Sequence, residues 1–326
     1  MNIIGIDVSK AKLDCARVDV ENTGKIKNKV FPNTPKAHLD LVAWATKLCQ
    51  EPVESIHFVM EATGIYHEAL AYALHETGAK VSVVNPAQIR DYAKSLGVRT
   101  KTDKKDSVVI TRFGLTQAPR LWQPEPSEVR TLKALISRLE AVVQDVIREQ
   151  NRLEKAEISR VSSDVTYSIE TVLSKLTTEK KRLEDLIDEH INNHPQLKQD
   201  KELLESIPGI GPVVSRMMLS VIRSRTFESA PQCAAFLGLV PVQHESGSSV
   251  RGRAHLSKAG NATIRAKLYM AAIVSIQYNP DILAQYNRLL KRGKTKMSAL
   301  GAAMRKLVHI CFGVLKHQQP YQPQRV

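Results

Sequence analysis

The chain has 326 residues and a formal net charge of +14, and from Glu245 to Val326 fourteen Lys/Arg stand against two acids, so +12 of that charge sits in the last quarter. Such a concentration points to a polyanion partner, usually nucleic acid, because phosphate contacts release counterions. Cys15, Cys49, Cys233 and Cys311 form no C-x-x-C pair, no export leader precedes the first strand pattern, and no apolar run nears the roughly 18–20 residues of a membrane span. A disulfide scaffold, zinc binding and a membrane span are therefore not expected, and the protein is read as soluble and cytoplasmic.

In chain order, Asn2–Val8 is a short apolar run ending near Asp7, and Leu13–Val20 and Lys27–Phe31 read as two further strands. Ala37–Cys49 carries apolar residues at helical spacing. Ser55–Glu61 is a strand closed by an acid, His67–His75 a helix ending at Gly78, and Lys80–Val84 a strand stopped by Asn85-Pro86. Helices follow around Ala87–Leu96 and Lys104–Leu115. Three strands, then alternating helices and strands, is the order of an α/β RNase H-like domain, assigned to residues 1–124.

Pro124 and Pro126 mark a linker. Between Ser127 and Leu153, and again from Ile169 to Ile187, apolar residues recur three and four apart, with a turn expected at Ser162-Ser163-Asp164. This predicts a coiled-coil helical hairpin over residues 125–200, with a narrow apolar seam that favours dimerisation. Residues 201–326 read as a mainly α-helical domain with basic helices around Thr263–Tyr278, Pro280–Leu290 and Ser298–Leu315. The proline- and glutamine-rich end after Lys316 is expected to be loose.

Two sets of residues carry chemistry. The first is four carboxylates. Asp7 and Glu61 end neighbouring strands, and Asp103 and Asp106, at i and i+3, share one face of a helix. Hard oxygen donors in such a group suit Mg²⁺ or Mn²⁺, and paired ions stabilise the attacking and leaving oxygens at a phosphate. Each acid alone is ordinary, and Asp103 and Asp106 among Lys101, Lys104 and Lys105 could form a solvated face. As a set, the four favour metal binding.

The second is the turn Glu245-Ser246-Gly247-Ser248-Ser249-Val250-Arg251-Gly252. A serine hydroxyl needs activation to become a nucleophile, the glycines admit close approach of a backbone, and Arg251 and Arg253 suit a phosphate. The residues alone do not choose among the three serines. The Ile207-Pro208-Gly209-Ile210-Gly211 segment resembles the hairpin of helix-hairpin-helix DNA binders, in which Gly209 and Gly211 expose backbone N–H groups; an ordinary helix-linking turn explains it equally well. It is not a dinucleotide fingerprint, because Val214 stands at the third glycine. Lys258, Arg265 and Lys267 extend the basic stretch, and Tyr269, Tyr278 and Tyr286 are interleaved with it.

Gly5-Ile6-Asp7-Val8-Ser9-Lys10, Glu61-Ala62-Thr63-Gly64, Lys101-Thr102-Asp103 with Asp106, Ile207–Gly211, the serine turn and Ser257-Lys258-Ala259-Gly260 occur in this order. In this the chain resembles, over essentially its whole length, the DEDD-type insertion-sequence transposases, a group described as bridge-RNA-guided recombinases. The resemblance implies that Asp7, Glu61, Asp103 and Asp106 are the metal ligands of a RuvC-like domain. It also implies that Ser246 is the nucleophile that becomes joined to DNA, in a serine-bearing transposase domain. A homo-oligomer, dimer to tetramer, would act with Mg²⁺ (or Mn²⁺) on element ends and target DNA, guided by a structured RNA in a prokaryotic, nucleoid-associated setting. Ser107-Val108, where relatives often have alanine next to the last acid, is a small departure. A water-using junction nuclease and a non-catalytic nucleic-acid scaffold are the competing readings.

Overall fold

The computed structural model describes residues 2–19, 24–97, 103–242, 245–246, 250–251, 255–257 and 260–323. They form two compact units, Met1–Pro124 and Glu125–Val326.

The first unit runs β1 (Ile3–Val8), β2 (Lys12–Val18), β3 (Ile26–Pro32), α1 (Pro35–Cys49), β4 (His57–Glu61), α2 (Glu68–Glu76), β5 (Lys80–Val84), α3 (Pro86–Ser95) and α4 (Asp103–Gln117). The strands make one sheet in the order β3-β2-β1-β4-β5. β1, β2 and β3 pair antiparallel, whereas β1, β4 and β5 run parallel. This is the mixed arrangement expected of an RNase H-like domain.

Local chemistry sets the boundaries. The Thr34 hydroxyl accepts from Ala37 N–H ahead of Pro35, and the Asn85 side chain accepts from Ala87 N–H ahead of Pro86, so α1 and α3 begin at capped, proline-started turns. The sheet then divides its side chains by parity. Ile4, Ile6, Phe58 and Met60 pack with Leu41 and Ala45 of α1 and Leu70 and Leu74 of α2. On the other face Ile3, Val59 and Val84 meet Ile89 of α3 and Ile110 and Phe113 of α4.

The second unit begins with α5 (Ser127–Ile158) and α6 (Ser163–Asn192). His190 bonds the Glu128 carbonyl at 2.8 Å, so the start of α5 meets the end of α6 and the two form an antiparallel hairpin. The turn lies at residues 159–162, slightly earlier than the sequence suggests, because α6 begins at Ser163 and already includes Asp164. α7 (Pro195–Glu205), α8 (Pro212–Arg223) and α9 (Ala230–Phe236) follow. Next come β6 (Pro241–Val242), β7 (Glu245–Ser246), β8 (Val250–Arg251) and β9 (His255–Leu256), then α10 (Ala262–Tyr278), α11 (Pro280–Lys291) and α12 (Lys296–His317).

One core joins Val129, Leu132, Ile187 and Ile191 of the hairpin to α7–α12. α12 corrects the expectation that no segment has the length and apolarity of a membrane span. Its Ala303, Leu307, Val308 and Cys311 are nevertheless buried in this core, which is where the apolar face of a long helix belongs. Residues 318–321 are also held more firmly than their composition suggests. Gln318 donates to Asp200, Tyr321 N–H donates to Ser206, and the Tyr321 hydroxyl lies 2.8 Å from Asp281 and 3.0 Å from Asn279. All four cysteines are buried and free.

Candidate functional site

The four carboxylates lie on or beside one face of the sheet. Asp7 is the penultimate residue of β1 and Glu61 the last of the parallel β4. Asp103 and Asp106 occupy the first turn of α4, where acids favour the helix dipole. α4 can lie directly on β1 because residue 5 is glycine. A Cβ there would come within 2.4 Å of Ser107 O, Thr111 N and Thr111 Oγ1. Instead the Gly5 N–H donates to the Thr111 hydroxyl at 3.2 Å, which has the Ala16 and Ser107 carbonyls within 3.0 and 2.9 Å. Gly114 repeats the device one helical stretch later, against Ile3 and Val59.

This close packing brings one carboxylate oxygen each from Asp7, Asp103 and Asp106 within 4.8 Å of one another. The Asp7 carboxyl is pushed up to about 6, first by burial and then by the charges of Asp106, Asp103, Glu61 and Asp14. Glu61 therefore belongs to the same electrostatic neighbourhood. Three acids crowded so that one resists ionisation form a donor set suited to a hard divalent cation, which relieves that repulsion.

Two residues at this site escape sequence reasoning. Asp14 of β2 stands opposite Asp7 in the antiparallel register, so their side chains share a face. Lys12, two residues earlier, reaches both Asp14 and Asp103. The surrounding loops are tied by Asn33, whose amide donates to the carbonyls of Ser9 and Tyr66 and whose oxygen meets buried His38 at 2.9 Å.

The serine turn lies in the second unit on a stepped ribbon. Val242 pairs with His255 and Pro241 with Leu256, and further out Glu245 pairs with Arg251 and Ser246 with Val250. Two-residue ladders have little stability alone; here Leu256 packs on the core and Ser257 N–H donates to the Val240 carbonyl. Ser246 thus ends one arm of a backbone hairpin. Lys101, Gly247, Ser248, Ser249, Gly252, Arg253 and Lys258 lie outside the described residues.

The remaining predicted contacts divide. Gly209 has φ +98° and packs so tightly on Ser275 of α10 that a Cβ would overlap its hydroxyl, whereas Gly211, at the N-cap of α8, faces open space. Packing alone thus accounts for Gly209. Arg265 donates to the Gly260 carbonyl at 3.0 Å, and Lys267 pairs with Glu140 of α5. Tyr269 packs on the core, and Tyr278 is exposed.

A DEDD-type transposase family model matches residues 4–156, and the model described as transposase IS116/IS110/IS902 family matches residues 201–287. The chain is 34% identical to the pilin gene-inverting protein of Moraxella bovis over 98% of this chain and 97% of that protein. It is 24% identical to the transposase for insertion sequence element IS1111A of Coxiella burnetii, over 75% of this chain and 74% of the relative. Among solved structures, RuvC of Thermus thermophilus aligns with 37% of this chain and 100% of its own at 15% identity and a TM-score of 0.27. Matched over 98% of its length by a relative 34% identical, and by transposase family models over residues 4–156 and 201–287, the chain belongs to the IS110 family of transposases, enzymes that cleave DNA strands and transfer them.

Proposed function

We propose that this transposase cuts and rejoins DNA through a covalent phosphoserine on Ser246, with a divalent metal held by Asp7, Glu61, Asp103 and Asp106, and that a structured RNA directs it to its sites. The observation that carries the metal reading is the convergence of three carboxylates within 4.8 Å. A site that raises one of its own acids to about 6 is stabilised by a cation and suits Mg²⁺ or Mn²⁺. When bound, the metal supplies charge stabilisation at a phosphate.

The protein's own residues account for the rest. Ser246 Oγ forms a bond to phosphorus and loses its proton, while the displaced strand end leaves and takes up a proton as a free hydroxyl. That hydroxyl, or the one on another strand end, then attacks the phosphoserine and releases the serine. Each step exchanges one phosphoester for another, so no nucleotide hydrolysis is required. Relatives named for gene inversion fit this scheme, since inversion needs every cut strand rejoined. Arg251, Arg253, Lys258 and Arg265, within a segment of net charge +12, are suited to the phosphates of DNA and guide RNA. Residues 1–124 serve as the RuvC-like catalytic domain, 125–200 as a helical coiled-coil hairpin, and 201–326 as the serine-bearing domain.

The test is a covalent-adduct assay on a denaturing gel, with DNA carrying the element ends, candidate guide RNA and Mg²⁺. Wild type is expected to give a shifted protein–DNA band that requires the RNA. Ser246→Ala and Asp103→Asn should abolish it. Cleaved DNA with no adduct in wild type would replace the phosphoserine scheme with hydrolysis by water.

A further inference from the structure

Lys12 opens β2 beside the carboxylates. Its Nζ lies 2.7 Å from Asp103 Oδ2 and 3.1 Å from Asp14 Oδ2. The two partners differ in kind. Asp14 is buried in the interior of β2, with a side chain 10% exposed, opposite Asp7. Asp103 is the first residue of α4, and its side chain is 57% exposed. The ammonium is therefore anchored on a fixed acid and extends to an exposed one.

We propose that Lys12 is a positioning residue: held by Asp14, it donates to Asp103 and keeps that carboxylate in the group with Asp7 and Asp106 to which a divalent ion binds. The proposal rests on the metal reading of those carboxylates. Donors that hydrogen-bond a ligating carboxylate from outside fix its orientation, and losing one costs about 10–100-fold in metal affinity. A lysine side chain carries its proton throughout the neutral range, so it stays a donor. A bare ammonium would repel a cation, but Lys12 and Asp14 together are neutral. Their pair contributes orientation at little cost in field.

That neutrality supplies the test. Lys12→Met/Asp14→Asn removes the hold on Asp103 without changing net charge. Mn²⁺ binding to the full chain is read by electron paramagnetic resonance of the free ion, without DNA. The double variant is expected to bind Mn²⁺ about 10–100-fold more weakly, and Lys12→Arg, which keeps a donor, within about 3-fold of wild type. Lys12→Met/Asp14→Ser, equally neutral, serves if the first double variant fails to fold. Unchanged or tighter binding in the folded Lys12→Met variants would overturn the role of Lys12 while leaving the metal site intact. Wild type that takes up no Mn²⁺ would instead overturn the metal reading, and this proposal with it.

Discussion

Asp7 shows what the carboxylate group costs the fold without a cation. Its pKa is raised from 3.8 to about 6 by burial and four neighbouring acids. Between those values the folded chain keeps a proton that the unfolded chain has released, so the contribution of Asp7 to stability falls as pH rises through roughly 4 to 6. Above that window the penalty is fully present. A shift of about two units corresponds to roughly 3 kcal/mol at most. Solvent and salt screen part of it at this partly exposed site, leaving about 1–2 kcal/mol. Asp7→Asn should therefore stabilise the chelator-treated protein by about that amount near pH 8, and by almost nothing near pH 4. Urea midpoints of variant and wild type at the two pH values check this; a destabilised Asp7→Asn near pH 8 would contradict it. If Asp7 holds the metal as proposed, adding Mg²⁺ or Mn²⁺ should reverse the sign, because wild type would gain the cation and the variant would not.

At the level of elements, the site exists because α4 touches β1 with no side chain between them. Gly5→Ala would drive a Cβ to 2.4 Å from two backbone atoms of α4, and backbone inside a helix cannot swing away. α4 must lift, the Gly5–Thr111 bond is lost, and Asp103 and Asp106 move off Asp7. Overpacking of this kind costs about 1–3 kcal/mol, to be read as a lower urea midpoint. DNA cleavage should fall by at least about tenfold, since small misplacements of reacting groups are expensive; wild-type stability and cleavage in Gly5→Ala would refute this packing argument. The acids themselves are legible in the sequence, because a carboxylate ending an apolar run or spaced i, i+3 has a recognisable pattern. Lys12 and Asp14 are not, since their place depends on the register of β2 against β1, a long-range pairing. Nor is the ribbon around Ser246, whose two-residue ladders are too short to show a period. The polar tail hides its anchoring for a similar reason: nothing local to Gln318 or Tyr321 names Asp200, Ser206 or Asp281 as partners.

For the molecule as a whole, the hairpin is the element through which copies of this chain would associate. Its base is covered: Leu132, Val142, Leu183, Ile187 and Ile191 are buried, and Arg216 of α8 pairs with Asp188 of α6. Toward the turn the pattern changes. Ile147, Ile158, Val161, Val165, Tyr167 and Val172 are between 40% and 76% exposed. Single exposed apolar residues are common, but these six all fall in the half of the hairpin nearer its turn. Two helices bury only the seam between them, so Val165 and Val172, seven apart on one exposed face of α6, are open to another helical surface. A second copy of the hairpin supplies one of matching chemistry. Val165→Glu/Val172→Glu should therefore shift the protein toward monomer in sedimentation velocity at about 10 µM. The fold should change little, because substitutions at exposed positions usually stay within about 0.5 kcal/mol. A wild type that sediments as a monomer at that concentration, or a double variant that associates as well as wild type, would show that the exposed stripe does not join copies of this chain.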